Sequence, residues 1–571
     1  MLLIPNLKGQ ILQRFSKPCY KIMCYLGAVI RSMSRPMFFL MPISLVVVAE
    51  TVFAGGAKFY VDNLTGNDRY DGSFSSPWLS LPHALKHLRP GDTLFMVANG
   101  PQQPYRGKLS LKQSGTAFAP IKIVGIAKTS AFTGASGNPP FIVGSVDISI
   151  HLAQSSSMTT LKAYSLPSSL QNFSGVLVSS AAEWEKSGIL ALSLRRETAN
   201  FKRIKPGEWF FDTSRETLFY QPMPEENASA VHLELIVGPK LLDHYEQDYV
   251  EYKNLSFRFS SGNAVSVYGG ATNIKLDKIS ISESGKNGLS IKNGHSISIT
   301  NCTISDVKNN GIVLGGSKES PLSNTYIANC DIFNVANNDC ITLHKGKDGE
   351  SIGSVHTLEN NRLSHCREQG LDITSGQDVR LINNLTFNNG GSGILLGKGV
   401  KNIYISKHAS HDEGEHGGIV IGRSSAVQLM DSCVIGGSKR QLRVLDASDV
   451  TIKGGMFVQY SDDRGSMVDI AGQSTNINFI NNIVVSQSTK SLTLLRFLTD
   501  KDFGRPIVNF DKNIWSSLST QEKHVYTREN NRHSFASFWS DAEQGKDSQL
   551  INGMNRDKVS ILMADRTCQS I

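Results

Sequence analysis

From about Tyr249 onward, apolar and polar residues alternate in short runs, and the runs recur. A period of two puts successive side chains on opposite faces of a strand, so each run predicts a short strand and not a helix. The recurring phrase is apolar-x-apolar-x-Asn, a second short strand, a small polar turn ending in Gly, then apolar-x-apolar-x-Gly. It is clear in ISITNCTISDVKNNGIVLGG (297–316), TYIANCDIFNVANNDCITLHKG (325–346), HTLENNRLSHCREQGLDITSG (356–376) and VRLINNLTFNNGGSGILLGKG (379–399). Asn301, Asn329, Asn360 and Asn383 share one position, in steps of 28, 31 and 23 residues. A period of that size with several strands per unit predicts a solenoid. One coil cannot bury its own apolar residues. Stacked coils, about 4.8 Å apart, bury continuous columns of Ile, Leu and Val. The predicted fold is therefore all-β, a right-handed parallel β-helix. The shared Asn column is expected to run as an internal amide ladder that satisfies buried backbone groups from coil to coil.

Other segments extend this picture. KFYVDNLTGNDRYDGSFSSPWLSLPHALKHLRPGDTLF (58–95) reads as a strand, a Gly/Asp turn, a short amphipathic helix and a Pro-Gly-Asp turn. Ala84, Leu85 and Leu88 fall on one helix face and would plug the open end of the solenoid. With the coil phrase, this segment resembles the secreted pectate-lyase-like β-helix superfamily. PGEWFFDTSRETLFY (206–220) resembles a strand–turn–strand insert of its glycan-active members, and FASFWSDAEQGKDSQL (535–550) a closing segment of bacterial secreted ones. The expected organisation is a leader at 1–54, a cap and first coils at 55–140, and an inserted β-rich lobe at 141–247. The main solenoid follows at 248–515 and a C-terminal cap at 516–571.

Charge changes meaning once the leader is set apart. The 571 residues carry a net charge of +8. Lys8, Arg14, Lys17, Lys21, Arg31 and Arg35 oppose Glu50 alone in the leader, a surplus of five that leaves +3 for the rest. MFFLMPISLVVVAETVFA (37–54) has the apolar stretch and small-residue end of a secretory signal, with cleavage expected after Ala54. Its apolar run is shorter than the roughly 20 residues of a membrane span. The expectation is a secreted or periplasmic protein without a stable membrane span. A surplus of three on so long a chain gives a poor case for nucleic acid. Of the six cysteines beyond the leader, none shows CxxC spacing. Nothing in the sequence speaks to oligomeric state.

The strands before the Gly-ended turns align as GIVLGG (311–316), CITLHK (340–345), GLDITS (370–375), GILLGK (393–398), GIVIGR (418–423), QLRVLD (441–446) and MVDIAG (467–472). Second and fourth positions are apolar and point inward. Third, fifth and sixth positions face a groove. The third column is Val313, Thr342, Asp372, Leu395, Val420, Arg443 and Asp469. His344 stands in the fifth, and Lys345, Lys398 and Arg423 make the sixth basic at its middle. A basic groove suits an acidic polysaccharide as partner.

β-Elimination of a uronate needs a cation to neutralise the carboxylate, a base for the C5 proton and an acid for the leaving oxygen. Chondroitinase-B and alginate-lyase type β-helix enzymes place a Lys and an Arg on neighbouring coils, a relation that Lys398 and Arg423 share. Those enzymes also carry carboxylates for calcium just before the Lys, and residues 390–397 hold none. A divalent cation such as calcium is the one cofactor that the resemblance suggests. The segment HASHDEGEH (408–416) packs three histidines and three carboxylates into nine residues. It offers a base in His411 or His416, an acid in Glu413 or Glu415, or a metal site drawn from Asp412, Glu413 and Glu415. The spacing fits no standard zinc motif.

The reading is an exported glycan-active β-helix protein that cleaves a uronate-containing polysaccharide by β-elimination. Lys398, Arg423 and His416 are the expected catalytic residues, and His344, Lys345, Asp372 and Arg443 the expected binding residues. Alternatives are a C5-epimerase, a glycoside hydrolase using two carboxylates, or a non-catalytic binding or exopolysaccharide-assembly protein.

Overall fold

The computed structural model describes residues 56–127, 139–148, 161–224, 226, 231–344, 353–414, 416–436, 440–460, 465–488, 493–499, 508–518, 525–527, 532–534, 547–552, 554 and 559. The leader, Lys345, Glu415 and most of the segment 535–550 lie outside these residues. Among the described residues the chain folds as a parallel β-solenoid of about 14 turns. Its strands hydrogen-bond into sheets of 26 and 13 members, and a separate sheet has 7. Successive strands of one face pair in parallel, as Ile341↔Leu371, Leu371↔Ile394 and Ile394↔Ile419 do.

Alternating inward positions build one continuous core. Ile312, Leu314, Ile341, Leu343, Leu371, Ile373, Ile394, Leu396, Ile419 and Ile421 all belong to it. Burial of each such side chain contributes roughly 1.5–3 kcal/mol, and no single coil could collect that alone. The helix Leu81–His87 closes the N-terminal end. Ser80 caps it, accepting from the His83 amide at 3.4 Å, and Leu81, Ala84, Leu85 and Leu88 join the core.

Asparagine has two separate jobs here, and the sequence pattern merges them. Asn301, Asn329, Asn360 and Asn383 have φ of 56°, 55°, 54° and 51°. They turn the chain in the left-handed region, which Asn tolerates, and three of them are exposed. The internal ladder runs one residue later. Asn361 accepts the Cys330 amide at 3.0 Å, and Asn384 accepts the Asn361 amide at 3.0 Å. Asn384 also donates to the Leu358 carbonyl at 2.8 Å. Cys302 and Cys330 are buried free thiols at the same position of earlier coils. Cys340 and Cys366 form a disulfide between adjacent coils, with Cα atoms 5.6 Å apart.

Solenoid pairing reaches into both ends of the segment 141–247. Phe141–Val143 still pairs in parallel with the solenoid strand Val250–Ser260, and Leu242–Tyr245 already pairs with Val265–Tyr268. The lobe sheet runs from Ser145–Asp147 to Val231–Ile236, which pair antiparallel. Arg106, on a solenoid strand, clasps the buried lobe residue Glu234 with two hydrogen bonds of 3.0 and 2.7 Å. At the other end, Gln549–Asn552 pairs in parallel with Ile514–Ser517, so coil pairing continues inside the expected cap.

Candidate functional site

The 13-stranded face sets every groove residue by register. Thr342 pairs with Asp372, Asp372 with Leu395, Leu395 with Val420, Val420 with Arg443, and Arg443 with Asp469. This is the third column of the sequence alignment, residue for residue. The face opens into a cavity of about 530 Å³ lined by His344, Asp372, Lys398, His416, Arg423 and Arg443, with Gln369, Thr374, Leu395 and Val420 among its walls. Six of the seven expected site residues thus meet at one place, and Lys345 lies outside the described residues.

Their surroundings differ. Lys398, His344 and His416 are exposed. Among the described residues no carboxylate pairs with Lys398. Arg423 is exposed and faces Asp446 of the next coil at 3.7 Å, so its charge is partly answered. Arg443 is half-buried, and its Nε has no hydrogen-bond partner. Burial, then the neighbouring Arg440 charge, lowers its pKa. Asp469 is fully buried and pairs with Arg440 at 2.8 Å and with Arg496. Asp469 and Asp446 act on Arg443 as opposite charges, while the direct ion pairs of Asp469 go to Arg440 and Arg496.

Asp372 is the chemically unusual group. It is half-buried in the cavity wall, and its Oδ1 has no partner. Burial, then the like charges of Asp339 and Glu368, push its pKa up to about 8, against a hydrogen bond from Thr342. Asp339 is buried just ahead of the Ile341–His344 strand. Burial, reinforced by Glu368 and opposed by the Gln369 amide, raises it to about 7. Asp339 and Glu368 both stand ahead of their strands, Ile341–His344 and Leu371–Ile373, where alternation gives them no place. Residues distant along the chain become neighbours because each coil returns to the same edge.

The histidine-rich segment divides. His416 reaches the cavity, while Asp412 is exposed and Glu413 turns into the solenoid body. Glu413 accepts from the Asn389 amide at 3.0 Å and from Ser410 at 3.2 Å. Burial pushes its pKa up to about 8 despite hydrogen bonds from Thr386, Asn389 and Ser410. Of the expected metal grouping of Asp412, Glu413 and Glu415, Asp412 and Glu413 part company: Asp412 takes a left-handed φ of 48° in the turn after the Ala409–His411 strand and stays exposed, while Glu413 is buried. Glu415 lies outside the described residues. Among the described residues, no group of three or more His, Cys, Asp or Glu could hold a metal ion. No helix among them is long and apolar enough to cross a membrane.

The family model described as right-handed beta helix region matches residues 243–406 and 351–496. No curated protein matches the chain in sequence. The structure of XylC in complex with xylose is similar, with 14% identity, a TM-score of 0.56 and 86% of each chain covered. A glycoside hydrolase structure is similar with 12% identity and a TM-score of 0.51, over 70% of this chain and 96% of that one. Identities this low speak to the fold alone. By coil register, by the family match along residues 243–496 and by these structural likenesses, the described residues fold as a right-handed parallel β-helix.

Proposed function

We propose that the protein cleaves an acidic glycan in this cavity, with Asp372 donating a proton to the leaving glycosidic oxygen. One observation carries the reading. Asp372 lines the cavity, its Oδ1 is buried without a hydrogen-bond partner, and with a pKa of about 8 its carboxyl holds its proton at neutral pH. Lys398, Arg423 and Arg443 on the same cavity suit carboxylate substituents. Leu395 and Val420 offer an apolar floor to sugar rings. Hydrolysis fits best, with exposed His344 or His416 activating water. The glycoside hydrolase and the xylose-bound XylC structure lend support through their shared fold.

β-Elimination is the second reading, favoured by Lys398. Its amine has no carboxylate partner among the described residues and stands beside His416 and Arg423 on the cavity. Lys398 or His416 would take the C5 proton, and Arg423 with Arg443 would answer the uronate charge. A C5-epimerase would share that first half. Export from the cell belongs to this proposal and rests on the leader.

Incubation with a panel of uronate polymers separates the readings. Hydrolysis releases reducing ends without ultraviolet absorbance, whereas elimination adds the absorbance of a C4=C5 double bond. Asp372→Asn is expected to lower kcat by about 10²–10⁴-fold with little change in KM. Tight binding with unchanged polymer length would overturn cleavage in favour of a binding platform.

A further inference from the structure

A second polar ladder runs along the turns ahead of the groove strands. Asn287 donates to Asn263 at 3.0 Å, and Asn310 donates to Asn287 at 3.2 Å, each through its side-chain amide. Each rung also accepts a backbone amide from the next coil, as Asn310 does from Asp339 at 3.2 Å. Asp339 holds the next rung and accepts the Gln369 amide at 3.0 Å. The geometry of an asparagine rung is kept there and the chemistry is not. The ionised side chain of Asp339 has no N–H to send back toward Asn310, which keeps only the Asp339 backbone amide. A carboxyl in an amide column loses a hydrogen bond and adds a buried charge, so ladder stability alone favours Asn. The exchange falls on the coil just before Asp372, where the cavity begins.

We propose that Asp339 is a positioning residue for the proton donor: its carboxyl in the amide ladder disfavours ionisation of Asp372, so the pair retains a proton at working pH. The inference rests on Asp372 being the proton donor, and it holds for hydrolysis and elimination alike. Thr342 pairs with Asp372 in the parallel register and Asp339 precedes Thr342 on the same coil, so the two carboxyls belong to adjacent coils and cannot both ionise cheaply. The groups facing Asp372 are Asp339 and Glu368 from the preceding turns, and His344, Lys398, His416, Arg423 and Arg443 around the cavity. The cations oppose the effect. Glu368 is exposed and screened by solvent, whereas Asp339 is buried and acts through a less polar medium.

Asp339→Asn completes the asparagine column, so the fold is expected to survive intact. The alkaline limb of the activity profile should then move to lower pH by roughly one unit. Glu368→Gln should move it much less. The carboxyl band of Asp372, identified by its loss in Asp372→Asn, can be followed by infrared difference spectroscopy with or without a substrate. Its titration should shift down by the same roughly one unit in Asp339→Asn. An unmoved Asp372 titration, or an unmoved alkaline limb, overturns the inference. A shifted titration in a protein that cleaves no glycan supports the coupling and overturns the cleavage proposal instead.

Discussion

Glu413 sits where an ionised carboxyl is least welcome. It is buried, receives only neutral donors, and holds a pKa of about 8. Its folded pKa therefore lies above its unfolded value. Between about pH 4 and 8 the folded state binds more protons than the unfolded state, so stability falls as pH rises. Glu413→Gln keeps the shape and removes the titration. Its stability relative to the parent should improve by on the order of 1 kcal/mol per pH unit through that window. Denaturation midpoints at pH 5 and at pH 8, compared between parent and variant, check this. A difference that does not change with pH would contradict the buried carboxyl. Asp372, His344, Arg443, Lys398 and Arg423 were legible in the sequence because a strand alternates strictly and the coils align by their glycines. The burial of Glu413 and of Asp339 was not legible. Both residues stand in turns, where no fixed period says which way a side chain points.

Two adjacent asparagines show how an element distributes its work. Asn383 is a left-handed corner with φ of 51°. Asn384 is buried and serves the Leu358 carbonyl and both the backbone and side-chain amides of Asn361. Asn384→Ala strands those groups away from water and should cost roughly 3 kcal/mol or more. Asn383→Ala forces alanine into the left-handed region and should cost about 1–2 kcal/mol. Urea denaturation of the pair tests the ordering, and equal losses would refute the separate roles. The coil phrase made the strands and the core columns readable. It assigned the ladder to the corner asparagine, because that one recurs in every aligned coil, whereas the inner position holds Cys302 and Cys330 before Asn361 and Asn384.

At the scale of the whole molecule, the lobe and the solenoid meet through the buried carboxylate of Glu234. Burial alone would raise its pKa; His232, Arg106 and Ser145 outweigh burial and hold it at about 2. A depressed carboxylate contributes stability above its unfolded pKa and loses it as pH falls toward 2. Arg106→Ala should cost about 3 kcal/mol near neutral pH and bring acid loss of the lobe to a higher pH. Hydrogen exchange should then quicken in the lobe strands and leave the solenoid strands protected. Uniform quickening would argue against a local clasp.

The parallel register also makes the groove a graduated rule. Asp372 and Arg443 stand three strand steps apart on one column, roughly 14 Å at about 4.8 Å per step, with Leu395 and Val420 as the marks between. Distances along such a face change by whole coils and not by fractions. If a polymer lies along the axis, the spacing between its cut and its recognised charge is fixed in units of the backbone repeat. Substitution in a column can move either mark by one step while the core beneath stays the same. Specificity in this molecule can therefore shift in discrete increments without a new fold.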